Sequence, residues 1–394
     1  MIESVDGNHM RIRGVSVPVL NLASFDFLGL SSDLRIKDVA KEALEFYGVG
    51  SCGPRGFYGT IDQHLFFEQA IAKFMGTQEA ISYSDGASAV SSAIPAFSKK
   101  GDLLIADEAV SEPILTGLNL SRSTVLFFRH NDMDHLRSIL QSIANDDKRL
   151  KRDTSQQRRF IVAEGLYRNT GDICPLPDIL ALKEEFFYRL ILDESVSFGA
   201  LGRTGRGVTD HFGVRVSDVE VLLLAMDTAL ASVGGVCIGS REIVDHQRLS
   251  GAGYCFSASA PPFLSAAACQ ALKIIEDNPA LLEVLHANTG YLHKSIVEKV
   301  DGLRLRCSTP TPIMTLSLST PLPLESLEEE AAKIIDIANY CVAHGVGIVA
   351  SKFSMLNSTS GMKYRPSLTL CASTKLTSAQ MDHVVATLAA ASKI

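Results

Sequence analysis

Two short stretches carry the residue types best suited to chemistry. One is LDESVSFGALGRTGRG (residues 192–207); the other, one hydrophobic run later, is AMDTALASVGG (residues 225–235). Asp193 ends an apolar run, and a buried carboxylate there suits protonation of a pyridine nitrogen, which turns such a ring into an electron sink. The chemistry also needs a lysine to form an imine with an aldehyde cofactor such as pyridoxal phosphate, about one strand on and in front of the glycine pair. Thr228 stands at that place, and a threonine hydroxyl forms no imine. The chain alone is therefore expected to hold no such aldehyde covalently.

A second informative segment is YGVGSCGPRGFYGTIDQHLFFEQAIAKF (residues 47–74). Five glycines and a proline within residues 47–59 make a loop that needs unusual backbone angles and close approach of another surface. Cys52, Arg55, Phe57 and Tyr58 are costly side chains for an idle loop, and they read as facing a partner surface or ligand; a structural elbow before the next helix is the plainer alternative. His64 reads as a helix-terminal contact rather than a base.

Elements positioning these segments follow from the hydrophobic pattern. Short apolar runs at 80–83, 103–106, 124–128, 160–163, 190–192, 219–225 and 235–238 alternate with amphipathic stretches at 36–46, 65–74, 132–143 and 176–187. That alternation predicts a mostly parallel seven-stranded sheet covered on both faces, with motif-bearing loops at its carboxyl edge. The polar run NDDKRLKRDTSQQRR (145–159) reads as an exposed loop. The last hundred residues read as a smaller α+β domain, with long helices at 323–344 and 377–392. The division expected is an N-terminal segment (1–34), a large domain (35–275) and a small C-terminal domain (276–394).

Bulk properties exclude several classes. The chain has 394 residues, 46% of them hydrophobic, enough to bury a large core. Its 37 basic and 44 acidic residues give a net charge of −7, which argues against nucleic acid as a partner. Eight scattered cysteines, without a CxxC or zinc spacing, read as reduced thiols, and no metal site is expected. The polar start MIESVDGNHMRIRG has no signal-peptide pattern, and no apolar run reaches the length needed to cross a bilayer.

Other segments have bland readings. Ser111, in ADEAVSEPILTG, reads as a helix cap. His130 is structural, and Glu164 and Asp172 serve a cap or a turn. Ser257 and Ser259, before Pro261 and Pro262, suit hydrogen bonds to an anion or a cap for the next helix.

Taken together, NLASFDFLGL, YGVGSCGPRGFYGT, DESVS and DHQRLSGAGYCFSAS resemble the α-oxoamine synthases, a branch of the fold-type-I pyridoxal-phosphate transferases, from about Asn21 onward. Within that family the similarity is to the serine palmitoyltransferases, on the side of their subunit 1, with a plant-like flavour. The resemblance implies the aspartate-aminotransferase-like fold and condensation of L-serine with palmitoyl-CoA, releasing CO2 and CoA and giving 3-oxosphinganine. It also implies a heterodimer with the catalytic long-chain-base subunit 2, which binds pyridoxal phosphate covalently. Small activating subunits, ORM-type regulators and a cytosol-facing place on the endoplasmic reticulum membrane belong to the same picture; the anchoring helix is absent from this chain.

Carried over residue by residue, the family pattern keeps Asp193 but puts Val196 in place of its hinge histidine. Ser111 stands for the ring-stacking histidine and Thr228 for the Schiff-base lysine. Ala258, between Ser257 and Ser259, replaces the threonine that reaches the neighbouring subunit's phosphate. The family's carboxylate-binding arginine is missing from the late strand at 367–370, with Arg365 a poor substitute. The resemblance thus implies a non-catalytic subunit with a vestigial cofactor site, whose Cys52, Gly53, Arg55, Phe57, Tyr58, Gly59, His64, Ser257 and Ser259 face the partner's active site. The alternatives are a self-sufficient enzyme using another lysine, such as Lys352, and a pure scaffold.

Overall fold

The computed structural model describes residues 1–351 and 365–394, so Lys352 lies outside the described residues. The residues divide into two compact units, one of residues 1–32, 168–172 and 280–394, the other of 33–167 and 173–279.

In chain order the first unit opens with β1 (Ile2–Asp6), β2 (His9–Ile12) and β3 (Val19–Asn21). The second contains α1 (Leu34–Tyr47), α2 (Asp62–Met75), β4 (Glu79–Tyr83), α3 (Gly86–Phe97), β5 (Leu103–Asp107), α4 (Glu112–Ser121), β6 (Thr124–Phe128) and α5 (Met133–Leu150). It continues with β7 (Arg159–Glu164), α6 (Leu176–Phe186), β8 (Arg189–Asp193), α7 (Val208–Phe212), β9 (Val221–Ala225), β10 (Gly235–Gly239), α8 (Arg241–Ser250), α9 (Ala252–Cys255) and α10 (Pro262–Asp277).

The seven strands of this unit run in the order β4-β10-β9-β8-β7-β5-β6, parallel except for β10. This is the expected mostly parallel sheet. Its inner strands read as unbroken apolar runs because both faces are covered by helices, and β5, β8 and β9 are buried along nearly their whole length. The parallel register brings Asp107, Glu164 and Asp193 to the carboxyl ends of three neighbouring strands.

Helix α3 escapes the hydrophobic-period reading because its sequence, GASAVSSAIPAF, is rich in small residues. Its start is nonetheless fixed by Asp85, whose side chain accepts from the Ser88 N–H. The exposed loop expected over 145–159 is found only at 151–158: α5 extends to Leu150, and β7 begins at Arg159. The reason is Asp147, a buried acid on α5 that binds Arg159 at 2.7 Å and Arg152 at 3.4 Å. Ion pairing there takes the place of an apolar residue, so the helix has no hydrophobic signature in its last two turns.

The first unit resumes with α11 (Ala280–Lys299), β11 (Leu303–Leu305), β12 (Ile313–Leu318), α12 (Leu327–Ala343), β13 (Val346–Gly347), β14 (Val349–Ser351), β15 (Ser367–Cys371) and α13 (Ser378–Ala391). Among the described residues it carries two four-stranded sheets, β11-β12-β15-β14 and β1-β2-β3-β13. The parallel pair β3–β13 ties residues 1–32 to the C-terminal part of the chain.

Candidate functional site

Asp193 closes β8 and is buried, and its Oδ1 accepts from the Ser195 N–H at 2.8 Å. Thr228, in the turn between β9 and β10, is 1% exposed. Its hydroxyl donates to the Ser195 carbonyl at 2.8 Å. This short side chain is thus bonded to the backbone of the turn that follows Asp193. Val196 is buried in the same turn.

Ser111 is the N-cap residue of α4, yet its side chain makes no capping bond; Glu164 accepts its backbone N–H instead. The side-chain cap expected of Ser111 is thus not made; an acid from the neighbouring strand holds the N-cap backbone instead. His130 is structural, as read: its Nδ1 lies 2.9 Å from Asp107 Oδ1, and its ring meets Tyr167 edge-on at 4.5 Å.

These residues do not fit a covalently held pyridoxal phosphate. Thr228 offers no amine. A cofactor phosphate is also best held at a helix N-terminus on this edge, and that of α3 is taken by Asp85, which accepts from Ser88 N–H at 2.7 Å and Oγ at 2.6 Å. A carboxylate at that position repels a phosphate. Sequence reading missed Asp85; its signal was an acid followed three residues later by serine at a strand-to-helix turn.

Glu194, which follows Asp193, is fully buried. It accepts from the Ser197 hydroxyl, from Val208 N at 2.9 Å and from Thr209 N at 3.4 Å. Burial pushes its carboxyl up to about 7, against the pull of those bonds. Gly207 is required beside it: φ is +90° and an added Cβ would lie 2.2 Å from the carboxylate.

The loop at 47–59 is a platform closed on itself. Ser259 donates its N–H to Gly53 O at 2.9 Å, and its hydroxyl lies 2.5 Å from both Gly59 O and Ser51 Oγ. A Cβ at Gly59 would fall 2.0 Å from Gly53 O. Cys52 and Tyr58 adopt left-handed backbone, with φ of 56° and 62°. This strain is stabilised from behind while Cys52, Phe57 (73% exposed) and Tyr58 (102% exposed) point outward.

Two expectations about this loop are corrected. Arg55 does not face outward: it is buried, with Nη1 and Nη2 on the two Glu68 oxygens at 2.7 and 3.1 Å. It also donates to Ser82 Oγ at 2.8 Å and Thr60 Oγ1 at 3.0 Å, and lies over the Tyr254 ring at 5.4 Å. His64 is likewise buried rather than outward-facing, and it makes the helix-terminal contact read from the sequence: its Nδ1 accepts from Ile61 N–H at 3.0 Å and its Nε2 donates to Ala260 O at 2.8 Å. Burial lowers its pKa and keeps it neutral.

Ser259 neither reaches for an anion nor caps α10, whose N-cap residue is Pro261. Half-buried Ser257 remains outward, on the rim of a small pocket that Arg55, Tyr254 and Ala258 also line. Glu68 and Ser82 were missed in the sequence; the only signal was an acid amid the apolar residues of α2.

Arg365 donates to Glu330 Oε2 at 2.7 Å and Leu322 O at 2.8 Å, so it is committed within its own unit. All eight cysteines are free, and burial pushes Cys237 and Cys371 up to about 12. Among the described residues no three potential ligands gather into a metal site, and no helix is long and apolar enough to cross a membrane.

Comparison with known proteins adds four findings. Residues 17–388 match the model of the aminotransferase class I and II family. Long chain base biosynthesis protein 1c of Oryza sativa subsp. japonica is 46% identical over 361 residues, 90% of this chain and 72% of that protein. Serine palmitoyltransferase 1 of Dictyostelium discoideum is 41% identical over 98% of this chain and 79% of its own length. Among solved structures, a serine palmitoyltransferase from S. paucimobilis with a bound PLP–myriocin aldimine superposes with a TM-score of 0.87, at 25% identity, covering 100% of this chain and 92% of that one.

Proposed function

This chain belongs to the aminotransferase class I and II family and, within it, to the group of long chain base biosynthesis protein 1 and serine palmitoyltransferase 1, and we propose that it is the non-catalytic subunit of a serine palmitoyltransferase. The enzyme condenses L-serine with palmitoyl-CoA to 3-oxosphinganine in sphingolipid biosynthesis. Its catalytic long-chain-base subunit 2 holds pyridoxal phosphate covalently, and that cofactor supplies the electron sink. Small activating subunits, ORM-type regulators and the cytosolic face of the endoplasmic reticulum membrane complete the reading.

One observation carries it: Thr228 is bonded to the Ser195 carbonyl at the imine-forming position, while the 47–59 loop keeps strained, exposed side chains. A vestigial site beside a well-built outward platform supports work done on the partner's side. The chain's own contribution is then positional: Arg55, His64 and Ser259 hold the loop, and Cys52, Phe57, Tyr58 and Ser257 present its surface.

The deciding experiment measures serine- and palmitoyl-CoA-dependent 3-oxosphinganine formation with this chain alone, the catalytic subunit alone, and both. Activity only with both is expected; turnover by this chain alone would overturn the reading. Tyr58→Ala should lower turnover of the complex about tenfold or more while leaving heterodimer assembly intact. Tyr58 is fully exposed, so its own fold should change by no more than about 0.5 kcal/mol. Unchanged turnover would assign the chain to a scaffold.

Thr228→Lys should yield neither an imine absorbance nor activity. Thr228 is 1% exposed, and forcing the longer side chain in should cost about 1–3 kcal/mol, read from urea denaturation. An imine band in that single variant would show that the site is still competent.

A further inference from the structure

The edge of the seven-stranded sheet opposite the candidate site is cationic at the end formed by β7, β5 and β6. There residues 98–102 lead into β5, 122–123 into β6 and 151–158 into β7. Hydrogen bonds join these loops into one surface. Leu103 N–H donates to Arg158 O at 2.9 Å, Arg158 Nη1 to Phe97 O at 2.9 Å, Gln157 Nε2 to Gly101 O at 2.8 Å and Ser123 Oγ to Lys99 O at 3.0 Å. Asp102 turns its charge inward, accepting the Lys99 and Arg158 N–H groups at 2.9 Å each.

Lys99, Lys100, Arg122, Lys148, Lys151 and Arg158 are exposed, and among the described residues none of the six is in an ion pair. The acids nearby are spent: Asp146 on Arg149, Asp147 on Arg152 and Arg159, Asp153 on Ser155. In a chain of net charge −7 this is a concentration of positive charge against the overall sign. Two leucines stand among these cations, Leu120 at the end of α4 and Leu150 at the end of α5, 60% and 47% exposed.

We propose that this edge docks the chain on an anionic phospholipid surface. Unpaired lysines and arginines meet lipid phosphate and carboxylate groups as point charges, and exposed leucines enter the headgroup boundary, which a nucleic-acid backbone does not reward. The proposal rests on this charge pattern alone and stands apart from the reading of the catalytic side.

The test is co-sedimentation of the 394-residue chain with phosphatidylcholine vesicles with and without phosphatidylserine, across a salt series. Binding is expected only with phosphatidylserine and should fade as salt rises, because the charges are exposed. The triple variant K100Q/K148Q/K151Q should bind about a hundredfold more weakly, since each lysine near such a surface contributes about fivefold. The same three positions as arginine should keep binding, and an unchanged thermal midpoint for both variants separates charge from folding. Equal binding to neutral vesicles, no binding to either, or a glutamine variant that binds like the parent overturns the proposal. So does retention of duplex DNA at a salt concentration where anionic vesicles are released.

Discussion

Arg55→Ala should destabilise the chain by about 3–5 kcal/mol, measured as a lowered urea midpoint with an unchanged slope. The Arg55–Glu68 pair is bidentate and buried, with side chains 5% and 8% exposed. Removing the guanidinium leaves the buried Glu68 carboxylate with only Ser82, whose N–H and Oγ each lie 2.8 Å from its Oε1. Arg55→Lys should recover only part of the loss, because one ammonium cannot span both Glu68 oxygens and Thr60. Replacing both partners with Met and Leu should recover most of it, since the penalty lies in the orphaned charge rather than in the lost bond. Lost turnover in Arg55→Ala would then reflect a collapsed platform, whereas the same loss in Tyr58→Ala reflects the surface itself. Parental stability together with lost turnover in Arg55→Ala would show that the guanidinium acts across the interface after all.

The strands of the large sheet could be read to within two residues, because a strand covered on both faces leaves an unbroken apolar run bounded by turns. Val221–Ala225 and Gly235–Gly239 are cases in point. The identity of Thr228 could also be read, and a threonine hydroxyl forms no imine. What could not be read was direction. Arg55 and Tyr58 are three residues apart in a glycine-rich loop, yet one is buried and the other fully exposed. The Arg55 partner, Glu68, lies on a helix 13 residues on, and nothing local marks the pair. Ion pairs that close across sequence also hid the end of α5, where Asp147 and Arg159 do what a leucine would otherwise do. Hydrophobic period reports burial of apolar groups, and it is silent where burial is achieved by charge compensation.

Raising the pH from about 4.5 to about 7 should cost about 3 kcal/mol of stability through Glu194 alone. Its carboxyl titrates at about 7 in the folded chain because burial outweighs the bonds from Ser197, Val208 and Thr209. Between those two pH values the folded state binds the proton that the unfolded state has released, so stability is complete below the unfolded pKa and falls as pH rises. His64 works in the opposite sense. Its folded pKa is lowered by burial, so the unfolded state takes up the proton first and stability falls as pH drops below about 6.5. The two groups therefore pull against each other across the mildly acidic range. Glu194→Gln separates them: an amide oxygen placed at Oε2 keeps the Val208 and Ser197 bonds, and only the longer one from Thr209, at 3.4 Å, is lost. Urea denaturation at a series of pH values should show the parent losing stability from about pH 5 to about pH 7 relative to the variant, whose remaining slope has the sign set by His64. Parallel curves for the two proteins would mean that Glu194 is already ionised in the fold, held by its three donors against the cost of burial.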